Sequence, residues 1–445
     1  MRIQRIDHWR VSIPTPAPFY PSWIPGFPQT EVRFVLLRFR TESGYEGWTA
    51  APAMGREHDG LGDLLGPYVL GERADDIPSI RQRIREMGYL GWRVGWLEPA
   101  MWDILGKRAG KPVYELLGGA RGGSVGLYAS TGEVRHGAAR IAEVEARLRE
   151  GFSAVKLRVH DMALEDDVRQ IREVRGAVGE GPILGVDANQ GWRVAVIGGA
   201  PRWDYGRALA FCTEAAGLHF KWVEEPLAHD AYDDLARLRT AVDVDVTGGE
   251  LNNQGLPEFR VMLEKGSLDV YQPDAVFTGG ISGTWAILEE IARAGARYSP
   301  HTWTNGVGFA VNLHLFAASK WRDATLLEFP CNPPSWTPAS WAGILEEPYQ
   351  AIRGRLELPT APGLGFAIDL AKLRRFGTHV GVCSKARVAL RALRDKGFTT
   401  ARAIGATRDG RLQARHEALD AFLHAGGDPV RLALGRDSLP DEPRR

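Results

Sequence analysis

Between residues 183 and 250 three apolar runs, each short enough to be one strand, end on a carboxylate: ILGVDANQ near Asp187, FKWVEEPL near Glu224 and VDVTGGEL near Glu250. The chain between successive runs is long enough for one helix, which gives strand, helix, strand, helix, strand, the grammar of parallel βαβ units. Crossovers in such units are right-handed, so the strands lie side by side and bring the residues at their C-terminal ends to one rim. Asp187, Glu224 and Glu250 are therefore expected to converge. Three ionised carboxylates withdrawn from water repel one another, so either they take up protons or a cation sits among them. All-oxygen ligands suit a hard ion; Mg²⁺ is preferred to Mn²⁺ or Ca²⁺ for its abundance and its habit of keeping waters that a substrate replaces. The plainer alternative is that each acid caps a helix or pairs with a nearby Arg.

The same grammar extends both ways. SVGLYAS and SAVKLRV precede the three acid strands, and LDVYQPDA, ARYSPHT and TLLEFP follow them. Eight strands with helical spacers over roughly 210 residues, slightly under the usual ~250, predict an α/β chain built on a modified (β/α)8 TIM barrel at residues 121–335. Gly118, Gly119, Gly122 and Gly123 mark its start. Ahead of them, residues 1–120 read as a separate α+β domain. Two alternating runs, over 3–13 and 32–40, predict a hairpin, and apolar spacings of three and four over 60–119 predict helices. The connection over 14–30 carries Phe19, Tyr20, Trp23, Ile24 and Phe27. So many aromatics on a loop are expected to cover something, either a ligand site as a lid or a domain or subunit contact. Residues 336–376 read as a return to the first domain. From Gly377 to Arg445 two amphipathic helices are expected, SKARVALRALRDKGF and RLQARHEALDAFLHAG, and no function follows from them. Thirteen Lys and Arg against eight Asp and Glu there suit a solvated helical face better than a nucleic-acid patch.

Composition narrows the partners. The 445 residues are 44% hydrophobic and 25% charged with zero formal net charge, which gives no ground for a nucleic acid or an anionic membrane as partner. Cys212, Cys331 and Cys383 form no CxxC pair, so neither a disulfide framework nor a zinc site is expected. With no long apolar run or cleavage pattern in MRIQRIDHWRVSIP, the expectation is a cytoplasmic protein that does not span a membrane.

The titratable residues then sort by position. Lys156 and Arg158 are one residue apart on the second strand, so they point to the same side, and two cations there need anions at the rim. Lys156 is either a pKa-shifted amine or an electrostatic partner; Arg158 is a fixed cation for a carboxylate substrate, because a guanidinium effectively keeps its proton. His301 follows the seventh strand, and Asp274 at the end of the sixth is placed to hold one ring nitrogen, the arrangement a proton-transferring imidazole needs. Glu328, at the end of the eighth strand, either donates a proton or forms a salt bridge.

Taken in order, AMWDILGKRAGKPVYELLGG, KLR, VDANQ, VEEP, GGE, QPDAVFTGGISG and HTWTNGVGFA resemble the segments of the enolase superfamily, mandelate racemase subgroup, over about residues 1–376. The resemblance implies an N-terminal domain capping the barrel and Mg²⁺ on Asp187, Glu224 and Glu250. It implies a His301 and Asp274 dyad on one face of the substrate and the Lys-x-Lys position on the other. Asn189, Tyr20, Trp23 and Trp303 are the expected substrate contacts. The shared chemistry is removal of the proton next to a carboxylate to give an enediolate, the pattern of a Lys or His base with Mg²⁺. Homo-oligomers are common in the family. This chain departs at Arg158, where a racemase has its second base, so a two-base mechanism requires Lys156 to substitute. Dehydration needs one base, and the expected activity is dehydration of an acid sugar or related α-hydroxy acid. Epimerisation comes second and cycloisomerisation third. A barrel that only binds is the reading from another class, and the intact acid and dyad positions argue against it. The aromatic loop and Trp303 would also suit a less polar acid than a sugar.

Overall fold

The computed structural model describes residues 1–439; of the extension expected over 377–445, residues 440–445 lie outside the described residues. In chain order the strands are β1 (Ile3–Phe19), β2 (Gln29–Thr41), β3 (Glu46–Pro52), β4 (Ser124–Ser130), β5 (Ala154–Arg158), β6 (Ile183–Asp187), β7 (Trp222–Glu224), β8 (Asp245–Gly248), β9 (Val270–Tyr271), β10 (Arg297–Tyr298), β11 (Leu327–Pro330), β12 (Arg355–Glu357) and β13 (Gly377–Ser384).

The N-terminal hairpin is longer than the sequence suggests. Its ladder runs past Pro14, which pairs with Glu31, and resumes at Phe19 against Gln29, so the irregular connection shrinks from 14–30 to 20–28. Pro14, Pro16 and Pro18 recur at every second position, which confines the missing N–H groups to one side of the strand. With β3 and β13 these strands make a four-stranded sheet in the order β13-β1-β2-β3.

Strands β4 to β11 are the eight expected from the apolar runs, parallel and in sequence order, with β11 pairing back on β4. Side chains bridge the remaining seam between β10 and β11. The Ser299 hydroxyl donates to the Leu326 carbonyl at 2.7 Å, and the Thr325 hydroxyl donates to the Tyr298 carbonyl at 2.7 Å. A helix follows each of the first seven of these strands, and only a four-residue helix, Pro338–Trp341, follows the eighth. The architecture is thus a modified (β/α)8 barrel under an N-terminal α+β domain.

The two parts are clasped by Glu98. Its buried carboxylate accepts from the Ile281 and Ser282 backbone N–H groups at 2.7 and 3.0 Å and from the Trp102 indole at 3.0 Å. A negative charge at the start of helix Gly280–Arg293 meets the positive end of its dipole. Asp103 ties in the returning segment, accepting from the backbone N–H groups of Trp48 at 3.1 Å and Leu364 at 2.9 Å. Strand β12 pairs with β4, so that segment also touches the barrel.

Beyond Gly377 the chain opens on a strand, not on a helix, because THVGVCS alternates and lies along the outer side of β1. Helices Lys385–Lys396, Phe398–His424 and Pro429–Ala433 follow. The long helix starts earlier than its amphipathic run suggests. Its later half is clamped to the first domain: Arg411 donates to Glu72 at 2.7 Å, Arg415 to Asp76 at 2.6 Å, and Arg73 pairs with Asp420. Part of the basic surplus is therefore matched by acids of the first domain, and only the rest faces solvent. No helix among the described residues is long and apolar enough to cross a membrane.

Helix Gly306–Ala318, after β10, is buried from Gly306 to Ala317 and carries His314 in its middle. The His314 ring stacks on Tyr114 at 5.4 Å, and Nδ1 accepts from the Tyr114 backbone N–H at 3.1 Å. Burial pushes His314 down to about 4. An unfolded His titrates near ~6.5, so between these values the unfolded chain binds the extra proton. The stability His314 contributes is present above pH ~6.5 and is lost as pH falls toward 4, by about 2 to 3 kcal/mol. Urea unfolding at pH 7 and at pH 4.5 checks this: His314→Asn should lose less on acidification than the wild type by about that amount.

Candidate active site

Strand register explains why the acids meet. Arg158 on β5 is the partner of Asp187 on β6, and Asp187 is the partner of Glu224 on β7. Glu250 stands two residues beyond the end of β8. Asp187 and Glu224 are fully buried and Glu250 nearly so. Two cations take up their oxygens. Lys156 Nζ lies 2.5 Å from Glu224, 2.7 Å from Glu328 and 3.4 Å from Asp187, with the Tyr128 ring at 5.8 Å. Arg158 pairs with Asp187, donates to the Asn189 side chain at 3.2 Å and to the Thr131 carbonyl at 2.6 Å, and lies over the rings of Trp23 and Trp303 at 5.1 and 5.4 Å. The alternative of acids paired with nearby cations is thus met at Asp187 and Glu224, and only in part at Glu250.

Charge sets the proton affinities. Burial pushes Glu224 up and outweighs the pull of Lys156, with repulsion from Asp187, Glu328 and Glu250 adding to the rise. At Asp187 burial is outweighed by Arg158 and Lys156, which hold it low. Burial would lower Lys156, but Glu224 and Glu328 overcome it and fix the ammonium above its ordinary value. Of its two expected roles, this geometry serves the electrostatic partner. Glu328 likewise resolves as a salt-bridge acid: burial raises it, but Lys156 and His301 pull it below the usual carboxylate range. Its oxygens accept from the Ser130 hydroxyl at 2.8 Å and the Thr302 backbone N–H at 2.7 Å.

His301 Nδ1 is 2.9 Å from Asp274, and Nε2 is 3.5 Å from Glu250. Asp274 is itself fixed by the Asn312 side-chain amide at 2.7 Å and the Val276 backbone N–H at 2.8 Å. Burial by itself lowers the imidazole; Glu250 and the hydrogen bond to Asp274 outweigh it and push His301 up to about 9.

Above these groups lies a cavity of about 360 Å³. Arg158, Asn189, Glu250 and His301 reach it, together with Trp23 and Trp303, so the aromatic loop lines this cavity. Ser22 on that loop donates to Asn189 at 2.6 Å, joining the first domain to the barrel rim. Tyr20 is a correction. Its side chain is 52% exposed and does not line the cavity, while its backbone N–H donates to Glu133, because the loop turns there and places Trp23 inward instead.

The donor set fits a hard cation by its chemistry. Six acids, Asp187, Glu224, Glu225, Glu250, Asp274 and Glu328, are buried here beside three cationic side chains, Lys156, Arg158 and His301, so acids outnumber cations among these described residues. Both Glu225 oxygens are buried with no hydrogen-bond partner, and burial with the nearby Glu250 pushes that acid well up. Among the described residues, however, no three acidic, His or Cys side chains are drawn together closely enough to form a metal shell, since Lys156 and Arg158 occupy the carboxylates.

Several residues escape the reading of the sequence. Glu225 hides beside Glu224 in VEEP, and the nearby Gly191 makes room for it: a Cβ there would meet Glu225 Oε1 at 2.1 Å. Gln272, two residues before Asp274, donates to Glu224 at 2.9 Å, and the period-2 spacing would have flagged it. Asn312 is signalled only as one of two polar residues, with His314, in an apolar helix.

Two family models match, Enolase C-terminal domain-like over residues 139–372, more than half of the chain, and Mandelate racemase / muconate lactonizing enzyme, N-terminal domain, over residues 14–118. D-galactarolactone cycloisomerase of Agrobacterium fabrum is 28% identical over 77% of this chain and 90% of its own length. Arabinonate dehydratase of Saccharolobus solfataricus is 28% identical over 78% of this chain and 91% of its own. Among solved structures, L-talarate/galactarate dehydratase from Salmonella typhimurium LT2, liganded with Mg and L-lyxarohydroxamate, superposes with a TM-score of 0.70 at 25% identity, covering 86% of this chain and 94% of that one. Matched in sequence across both parts and in fold across the capped barrel, the chain belongs to the mandelate racemase and muconate lactonizing enzyme family of the enolase superfamily.

Proposed function

We propose that this protein removes the proton alpha to the carboxylate of a small hydroxy acid and completes the reaction as a dehydration to a 2-keto acid. Asp187, Glu224 and Glu250 would hold Mg²⁺, a proposal supported by their donor chemistry and by the Mg present in the Salmonella dehydratase. When bound, the cation draws electron density from the substrate carboxylate and lowers the cost of removing the adjacent proton.

The observation that carries the choice of dehydration is that one imidazole and, among the described residues, no lysine lines the cavity. His301 lines it with Asp274 behind. The other titratable cation in the wall near the acids is Arg158, which keeps its proton. Lys156 is fully buried under three carboxylates and does not line the cavity. Racemisation needs a base on each face, and dehydration needs one. His301 Nε2 takes the proton from C2, and the resulting imidazolium returns it to the hydroxyl leaving C3 on the same face. The substrate thereby loses one water and leaves as an enol that becomes the 2-keto acid. Glu250 carries the largest share of the upward push on His301, so neutralising its charge returns the imidazole toward ~6.5 and frees the base. Arg158 and Asn189 orient the substrate carboxylate, and Trp23 and Trp303 shield it.

The relatives named as dehydratases and as a cycloisomerase define the neighbouring activities. Incubation with Mg²⁺ and a panel of α-hydroxy and sugar acids in D₂O separates them. Loss of water to a 2-keto acid carrying deuterium at C3 is the expected result. Deuterium entering C2 with no water lost would instead mean proton exchange or epimerisation and turn attention to Lys156 as a second base.

A further inference from the structure

We infer that the barrel holds a second polar site beneath its acids, a chamber entered from the base that takes a cluster of waters, and that this cluster holds Gln272 in place to position Glu224. The positioning role rests on the Mg²⁺ reading proposed above.

The chamber has a volume of about 170 Å³ and shares no lining residue with the cavity over the acids. Its mouth lies at the opposite end of the barrel, where Ile183, Asp245 and Arg297 begin β6, β8 and β10. Ile183 is 43% exposed there, and Asp245 is held by Arg297 at 2.5 Å and by Lys221 at 3.0 Å. Bulky branched side chains ordinarily fill a barrel of this kind. Here Gly185 offers none, and the Trp222 ring lies so close across it that a Cβ would meet the ring at 2.0 Å.

Three oxygens in the chamber wall have no protein partner among the described residues: Tyr128 Oη, Thr247 Oγ1 and Gln272 Oε1, on residues each 3% exposed. Ser299 does not serve them, because its hydroxyl already donates to the Leu326 carbonyl. A buried polar atom left unbonded is costly, and a polar cavity of this size has room for several waters, each able to make two to four hydrogen bonds. An apolar occupant would leave all three oxygens unpaired. A cation would enter past Arg297 and Lys221 and meet Tyr128, whose ring already has the Lys156 ammonium at 5.8 Å.

Gln272 joins the two levels. Each oxygen of Glu224 has one of these donors, Lys156 Nζ on Oε1 at 2.5 Å and Gln272 Nε2 on Oε2 at 2.9 Å. An ionised carboxylate only accepts, so the amide keeps its nitrogen toward Glu224 and its oxygen in the chamber. Waters bridging that oxygen to the Tyr128 and Thr247 hydroxyls hold the amide, and the amide keeps the Glu224 carboxylate from turning. Outer partners of a metal ligand typically account for about 10- to 100-fold in metal affinity.

The chamber and the positioning role are tested separately. A high-resolution crystal structure of the full chain should show waters within hydrogen-bond distance of all three oxygens, and xenon pressed into the crystals should stay out. A dry chamber, or xenon in it, would overturn the site. Mg²⁺ is then titrated by calorimetry. Gln272→Met keeps the length and removes both polar atoms, and should weaken Mg²⁺ about tenfold. Thr247→Val combined with Tyr128→Phe changes neither Glu224 nor Gln272. It should weaken Mg²⁺ about threefold while the melting temperature in chelator stays near that of the wild type. Unchanged affinity in Gln272→Met would overturn the positioning role, and unchanged affinity in the double variant alone would overturn its dependence on the waters. A wild type that binds no Mg²⁺ would sink the metal reading and the positioning role together, and the crystal would still decide the chamber.

Discussion

His301→Asn is expected to lower kcat by at least about a thousandfold while Mg²⁺ affinity stays near that of the wild type. Asparagine keeps a donor that can reach Asp274 and brings no group able to take a proton near neutral pH, so the change removes the base and little else. Asp274 keeps its anchors, the Asn312 amide and the Val276 backbone N–H, and helix Ala275–Thr278 keeps its cap. The measurement is single-turnover kinetics beside Mg²⁺ titration by calorimetry. A variant within about tenfold of the wild type would show that another group removes the proton. A parallel loss of Mg²⁺ affinity would instead place His301 in the support of Glu250, 3.5 Å away.

Lys156→Met should be the most destabilising substitution in the barrel when Mg²⁺ is withheld. Methionine nearly matches the stem in volume, so packing changes little, but Glu224, Glu328 and Asp187 lose the ammonium that lies 2.5 to 3.4 Å from each. Removing one partner of a buried ion pair commonly costs about 3–5 kcal/mol. With chelator present, the unfolding midpoint should fall accordingly. Mg²⁺ at about 100 times its Kd should restore roughly 2.7 kcal/mol, since it binds the folded state only. Stability unchanged in chelator would mean that the acids take up protons instead, and that Lys156 is not their counter-charge.

These roles were legible to the extent that they follow from strand ends. The apolar runs fixed the register class, and register alone brings Arg158, Asp187 and Glu224 side by side. The dyad follows in the same way, because Asp274 and His301 leave neighbouring strands. What stayed hidden depends on packing between distant segments. The cavity wall draws Trp23 from the capping loop, Trp192 from the turn after β6 and Trp336 from the segment after β11, and no local pattern links them. The fate of Lys156 and Glu328 was equally unreadable, because it depends on which carboxylate lies within 3 Å. The hairpin connection is shorter than its irregular composition suggests, because prolines at alternate positions stay within a strand. The strand at the start of the C-terminal extension was missed because its partner is 370 or so residues away in the chain, a separation that no periodicity spans.

The pairing of β13 with β1 also bears on how the protein can be handled. Residues 377–384 occupy the backbone of β1 from Arg5 to Val11. If the chain were shortened to end at Phe376, those residues would display a row of unsatisfied amide and carbonyl groups, a ready template for strand addition between molecules. The extension in this sense pairs the edge of β1 and moves the open edge of the sheet to β13.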